Sequence, residues 1–417
     1  MGMVDRRLLP CALALMTEEP VLLLQGPRTV GKSHLLAAIA QACGGTVIDL
    51  DDLATREAAA TDPAFMVQGA GPVLLDEYQH VPELLDAIKA ELNTDLRPGR
   101  FVLAGSTRYD ALPAAAQSLT GRLHRLDVLP LSRGELSGVT ERFLDVLFTD
   151  VGALVGPPSA TTRDEYIRHI VQGGMPLALA RSSDGARARW FDSYVALSLE
   201  RDVPEIKAKL RKRSELPTYL ATLASQSAYL LNVRAASQVA GFDHKTGESY
   251  LTLLEAVFLV QRLPAWGSTL RKRTVGHPKI HVVDSGVASR LLRVTPDRLA
   301  SKEVHALNTL GQLLETYVVG ELRKQMSWRD DIDIMGHWRT HDGDEVDLVI
   351  ERSDGGVVGI EAKAASHVRD GDLSGLRKLR NLVGDRFVAG VVMYLGQRSY
   401  QVDETLTVMP VDRIWRG

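Results

Sequence analysis

The octapeptide Gly26-Pro27-Arg28-Thr29-Val30-Gly31-Lys32-Ser33 has the residue types needed to hold phosphate. Its glycines let backbone N–H groups converge on phosphate oxygens, and a helix beginning at Ser33 adds the positive end of its dipole. Lys32 would reach the β- and γ-phosphates of a nucleotide, and the Ser33 hydroxyl would hold Mg2+. The backbone from Pro27 to Val30, with His34 behind it, completes the cradle. The flanks follow in the required order, Val21 to Gln25 reading as a strand and Ser33 to Cys43 as a helix. The bland alternative is a chance glycine turn.

A nucleotide site of this kind needs a second acidic group, and GPVLLDEYQHVPELL supplies one at residues 71–85. Val73 to Leu75 reads as a buried strand that delivers Asp76 and Glu77 to the carboxyl edge of a parallel sheet. Asp76 would position the Mg2+ shell, and Glu77 would orient and deprotonate the attacking water. The alternative is an acidic turn opening a helix over residues 82–89, since carboxylates favour a helix N-terminus anyway.

Two further strands are predicted at residues 46–52 (TVIDLDD) and 101–108 (FVLAGSTR). A strand inserted between phosphate turn and acidic strand resembles the additional-strand class of P-loop ATPases that includes the AAA proteins. That resemblance implies ATP as substrate and Ser106, at a polar strand tip, as a γ-phosphate sensor. It also offers Arg108 or Arg122 as an arginine finger, supplied in cis or by a neighbouring copy in a homo-oligomer. The dull reading of both arginines is a solvated loop end.

These elements need a host. A chain of 417 residues should form two to four domains, because single cores seldom grow beyond about 250 to 300 residues. Hydrophobic content of 45% with 24% charge is that of a soluble globular chain, and no stretch nears the roughly 20 apolar residues of a membrane crossing. Cys11 and Cys43 are the two cysteines, which fits a reducing cytoplasm better than a disulfide framework. The N-terminal apolar patch, with no small-residue cleavage site after it, reads as a first helix. A net charge of −3 excludes a wholly basic nucleic-acid protein but not a local basic face.

Residues 138–214 lose the strand rhythm and read as a helical lid after a P-loop domain at 1–137. The run Lys207 to Arg213 is basic, most simply a solvated helix face. Residues 215–275 read as a winged helix-turn-helix: Asn232 opens one short helix, Gly241 breaks it, and a second carries Tyr250, Leu253, Leu254 and Val257 at helical spacing. Lys245, Thr246 and Ser249 would then face the major groove of DNA, with Arg271, Lys272 and Arg273 on the wing against phosphate. A purely structural three-helix element is the competing reading.

In residues 276–417 strands return. A helix over 311–325 carries Glu315, and two strands flank an Asp-Gly-Gly turn, Asp347 on the first and Glu361-Ala-Lys363 on the second. Alternation puts Glu361 and Lys363 on one face. Asp347, Glu361 and Glu315 would bind Mg2+ or Mn2+, and Lys363 would orient water or stabilise the phosphorane, the D…E-x-K pattern of the restriction-endonuclease-like fold. A Glu–Lys ion pair at a sheet edge is the plain alternative. His337, His341 and His367 lack ligand spacing and read as surface residues.

Across nearly its full length the chain is similar to bacterial AAA-type P-loop ATPases fused to a C-terminal domain of unknown function. The likeness rests on GPRTVGKS, LLDEYQHVPELL, LAGSTR, PLSRGEL, GGMP, LERDVPEI, YLTLLEAVFLVQRLPAW, HVVDSGVASRLL, GQLLETYVVGEL, EVDLVIE and IEAKA. It implies an α/β P-loop NTPase with helical lid, winged helix-turn-helix and nuclease-like domain, a Mg2+-dependent ATPase acting on DNA or other nucleic acid. The alternative is a nucleotide-switched regulatory or assembly factor whose nuclease-like domain only binds nucleic acid or protein.

Overall fold

The computed structural model describes residues 4–69, 71–111, 119–208, 210–267 and 276–416. Five parallel strands, β1 (Val21–Gln25), β2 (Thr46–Asp49), β3 (Val73–Asp76), β4 (Phe101–Gly105) and β5 (Leu123–Asp127), lie in the order β2-β3-β4-β1-β5. Their apolar runs serve both faces of the sheet, as parallel strands require. Leu22, Leu24, Leu74 and Val102 pack in one cluster with Leu35, Leu36 and Ile39 of the helix Lys32–Cys43. The alternate residues Val21, Leu23, Leu75 and Leu103 pack with Leu84, Leu85 and Ile88 of the helix Glu83–Thr94. The edge strand β2 stops at Asp49, short of the predicted residue 52, because Asp52 caps the helix Leu53–Thr61, its side chain accepting from Thr55 N at 2.8 Å.

The helices Phe143–Thr149, Arg163–Gln172 and Asp184–Leu197 follow, and the last runs into a π-helical turn, Ser198–Asp202, and a short helix, Val203–Ile206. Next come Leu216–Ser225, Val233–Val239 and His244–Ala256, the latter two capped by the Asn232 and Asp243 side chains. The antiparallel pair β6 (Val260–Leu263) and β7 (Lys279–Val282) closes this unit, and bridges from Ser227 to Ile280 and from Leu230 to Lys279 add a third line of backbone.

The long helix Val304–Met326 precedes a six-stranded sheet made of β8 (Ile332–Arg339), β9 (Glu345–Arg352), β10 (Val357–Lys363), β11 (Phe387–Tyr394), β12 (Tyr400–Gln401) and β13 (Leu406–Pro410), ordered β12-β13-β11-β10-β9-β8. The strand β9 runs antiparallel to both of its neighbours, β8 and β10, whereas β10 and β11 run parallel. That reversal needs a crossover, and the helix Ser374–Val383 provides it. Gly355, in the Asp-Gly-Gly turn between β9 and β10, has φ 86°, which a glycine adopts without strain. Leu348, Ile350, Val358 and Ile360 join Leu310, Leu314 and Val318 of the long helix in one core, and Val346 and Val349 join Leu376 and Leu379 in another.

Buried polar contacts weld these parts together. Asp284 accepts from Gly174 N at 2.7 Å, and Asp412 accepts from Ser159 Oγ at 2.6 Å and Thr161 Oγ1 at 2.8 Å. No helix of the described residues is long and apolar enough to cross a membrane.

Candidate nucleotide site and C-terminal acidic pocket

The phosphate turn leaves the carboxyl end of β1 and enters the helix Lys32–Cys43 through Gly31, whose φ of 96° suits glycine. Thr29 adopts φ 63°, uncommon for a residue with a side chain, and such outliers gather at ligand clamps. A Cβ at Gly26 would stand 2.1 Å from Val128 O, so this position admits nothing larger. The Lys32 side chain folds back into the cradle, Nζ donating to Gly26 O at 3.0 Å and Pro27 O at 2.8 Å. Burial pushes its ammonium down to about 8, against the pull of Glu77 and Asp76. Ser33 and His34 are exposed at the helix start. An anion-shaped turn with a buried cation turned on its own carbonyls fits a triphosphate and its Mg2+.

Asp76 ends β3 and is buried, which raises its carboxyl above the usual range; a hydrogen bond from Ser33 opposes the shift. Glu77 follows at φ 51°. Its Oε2 accepts from Ser106 Oγ at 3.2 Å and from the Gln79 amide. Strand order puts Ser106 and Glu77 side by side, β4 pairing with β3. Ser106 therefore restrains the candidate base.

The two arginines differ in placement. The Arg108 guanidinium sits over the Phe258 ring, 5.2 Å from its centroid, and Arg108 N donates to Ala256 O at 3.0 Å. These contacts join the sheet to the end of the helix His244–Ala256. Arg122 precedes β5, whose Leu123 is in register with Val21 and whose Asp127 is in register with Gln25. It is therefore at the amino edge of the sheet, some four residue rises or about 13 Å from the edge that bears the phosphate turn. There it donates to Asn93 Oδ1 at 2.8 Å. This placement corrects the expectation of Arg122 as a finger in its own chain's site.

Two arginines hold the turn: Arg6, which carries no sequence signal, and Arg28, a residue of the turn itself. Arg6 donates to Val30 O at 2.7 Å, to Leu129 O at 2.8 Å and to Glu135 Oε1 at 3.0 Å, tying the turn to the PLSRGEL segment. Arg28 projects from the turn to Asp202 Oδ1, 2.6 Å away, and Glu205 Oε2, 3.3 Å away. Burial lowers its basicity, but Asp202, Glu77 and Glu205 together raise it above its ordinary value. Arg28 thus clasps the π-helical turn. The basic run beyond is exposed but not free: Lys207 Nζ donates to Ser249 Oγ at 3.2 Å, Tyr250 OH donates to Arg211 O and Lys212 to Gly241 O.

Among the proposed DNA-facing residues, Lys245 is exposed. The Thr246 hydroxyl is spent on the helix cap, donating to Asp243 Oδ2 at 2.6 Å, and Ser249 accepts from Lys207. Arg271, Lys272 and Arg273 lie outside the described residues.

In the C-terminal unit, Glu315, Asp347, Glu361 and Lys363 line one cavity of about 410 Å3. Lys363 Nζ donates to Glu361 Oε1 at 2.6 Å, and Asp347 Oδ2 accepts from Ala362 N at 3.0 Å. Burial and the Asp347 charge raise the Glu361 carboxyl, with Lys363 opposing. The predicted metal set is corrected by Lys279, whose Nζ lies 2.7 Å from Glu315 Oε1, 2.5 Å from Glu345 Oε1 and 3.3 Å from Asp347 Oδ1. An ammonium among the oxygens does not fit Mg2+ or Mn2+ there, and no metal-holding group of three such residues occurs among the described residues. His337 is also corrected: it is buried, bonded to His277 O at 3.0 Å, and held down to about 4 by burial and Lys279.

Comparison with known proteins places three family models along the chain. Residues 18–137 match an AAA domain, residues 163–298 match a domain of unknown function (DUF8612) and residues 310–414 match another (DUF4143). Uncharacterized proteins of Mycobacterium bovis and Mycobacterium tuberculosis are each 28% identical over 95% of this chain and 81% of their own length. Among solved structures, a Walker-type ATPase of Pyrococcus abyssi superposes over 70% of this chain and 96% of its own, at 14% identity and TM-score 0.43. The Thermotoga maritima RuvB Holliday junction branch migration motor covers 63% of this chain and 90% of its own, at 17% identity and TM-score 0.28. Neither superposition adds to what the strand order says. The AAA match, the strand order and the phosphate turn support an AAA-type P-loop ATPase module, followed by a DUF4143 region.

Proposed function

We propose that this chain is a Mg2+-dependent ATPase whose nucleotide state is passed to a winged-helix element that binds DNA. The observation that carries the reading is the clasp of Arg28, inside the phosphate turn, on Asp202 and Glu205. Lys207, five residues beyond Asp202, reaches Ser249 on the helix His244–Ala256, so one short segment touches both sites. In this account Lys32 leaves the Gly26 and Pro27 carbonyls for the β- and γ-phosphates. Ser33 and Asp76 hold Mg2+, which supplies neutralising charge when bound. Glu77 orients the attacking water once Ser106 and Gln79 release it.

Three helices followed by an antiparallel pair support the winged-helix reading, and the order helix, three antiparallel strands, helix, parallel strand supports a restriction-endonuclease-like core. Lys279 favours the second reading for that core, a body that binds nucleic acid or protein without metal-dependent cleavage. Duplex DNA binding that weakens with salt, and loses about one unit of its log–log salt slope in Lys245→Ala, tests the first claim. Binding indifferent to salt and to Lys245 would remove DNA as the partner.

A further inference from the structure

The acidic pocket of the C-terminal unit is entered by a side chain from another part of the fold. Lys279 opens β7, in register with Leu263 of β6 and bridged on its other side to Leu230. Backbone pairing on both sides fixes the point from which its side chain enters the pocket. An ammonium has three donors; here Glu315 on the long helix and Asp347 on β9 accept from it, and Glu345, also on β9, adds an ion pair at 2.5 Å. The side chain is 2% exposed. The third carboxylate of the predicted metal set, Glu361, is paired with Lys363.

The restriction-endonuclease resemblance implies a divalent ion at Glu315, Asp347 and Glu361, whereas two of these three are committed to Lys279. A divalent ion and an ammonium compete for the same oxygens. We propose that Lys279 is the resident cation of this pocket, excluding divalent metal and fastening the wing strand to the C-terminal sheet. Removing one partner of such a buried cluster leaves uncompensated charge, so the cluster holds together as a unit. This inference is independent of the ATPase reading, since the phosphate turn contributes no residue to the pocket.

Electron paramagnetic resonance of Mn2+ titrated into the full chain without nucleotide tests it. Wild type, Asp347→Asn and Glu361→Gln should bind Mn2+ alike, any ion at the phosphate turn cancelling in the comparison. Lys279→Met should bind one further ion per chain, at least tenfold more tightly than wild type, and lose it in Lys279→Met/Asp347→Asn. Lys279→Arg, which keeps the cation, should behave as wild type. An ion bound by wild type and lost in both Asp347→Asn and Glu361→Gln would overturn the proposal. So would a folded Lys279→Met that gains none. If Lys279→Met does not fold, the wild-type comparison with Asp347→Asn and Glu361→Gln decides.

Discussion

Arg28 Nε stands 2.6 Å from Asp202 Oδ1, joining two residues 174 positions apart in the chain. One belongs to the turn that would cradle phosphate and the other to a π-helical turn, an irregularity often found at functional sites. Any anion seated in the turn competes with Asp202 and Glu205 for the same guanidinium. On the proposed reading, a triphosphate would act on residues 198–207 through this contact without touching them. The segment is short, and its far end is bonded to the helix His244–Ala256.

The roles given to Lys32 and Glu77 separate binding from turnover. Lys32→Ala should weaken ATP binding about ten- to hundredfold, the range for hydrogen bonds to a charged group. Glu77→Gln should keep ATP binding and lower turnover about a hundredfold or more, as loss of a general base does. Equilibrium binding of a fluorescent ATP analogue beside steady-state phosphate release reads both. Wild-type turnover in either variant would remove that residue from the site.

The ammonium of Lys32 gives ATP affinity a pH dependence of known sign. In the folded, nucleotide-free chain it is held down to about 8, from 10.5. Between these values the unfolded chain binds more protons, so the nucleotide-free fold gains stability as pH rises from about 8 towards 10.5. ATP binding runs the other way, because phosphates favour the ammonium. Affinity should be level below pH about 8 and then fall by up to about tenfold per unit. Calorimetric titrations at pH 7, 8 and 9 would show proton uptake on binding at the upper two values. Affinity flat to pH 9 would mean that Lys32 does not meet the phosphates.

Arg122 lies at the amino edge of the sheet, bonded to Asn93. Arg122→Ala should hydrolyse ATP within about twofold of wild type, as expected of a surface substitution away from the site. A loss of tenfold or more, restored by mixing with a chain that is intact at Arg122 but inactive at Lys32, would place this arginine in a neighbouring copy's site.

Local signals carried the nucleotide site into view. The turn GPRTVGKS and the strand ending in Asp76 and Glu77 announce themselves because glycine conformation, helix start and apolar run are all written within a few residues. The cap at Asn232 is equally local, and so is the Asp-Gly-Gly hairpin. Arg6 and Lys279 were hidden for the opposite reason, as was the partner of Arg28: the partners lie 129, 68 and 174 residues away, and one sequence holds no record of such pairings. In KIHVV Lys279 looks like the start of a strand, yet it claims two of the carboxylates that the D…E-x-K spacing had offered to a metal. Arg122 failed on topology, because loop position along the sequence does not say which edge of a parallel sheet the loop serves.

The central claim is that the Arg28–Asp202 contact carries the nucleotide state to the DNA-binding element. Fluorescence anisotropy of a labelled duplex, titrated with the full chain with and without ATP and Mg2+, measures it in a Glu77→Gln background that holds ATP unhydrolysed. The account expects ATP to change duplex affinity by about fivefold or more, the scale of an ordinary coupling between two sites. It expects Asp202→Asn to bind ATP and DNA separately and to lose most of that difference. An Asp202→Asn chain with undiminished ATP dependence, or a parent chain with none, would contradict it.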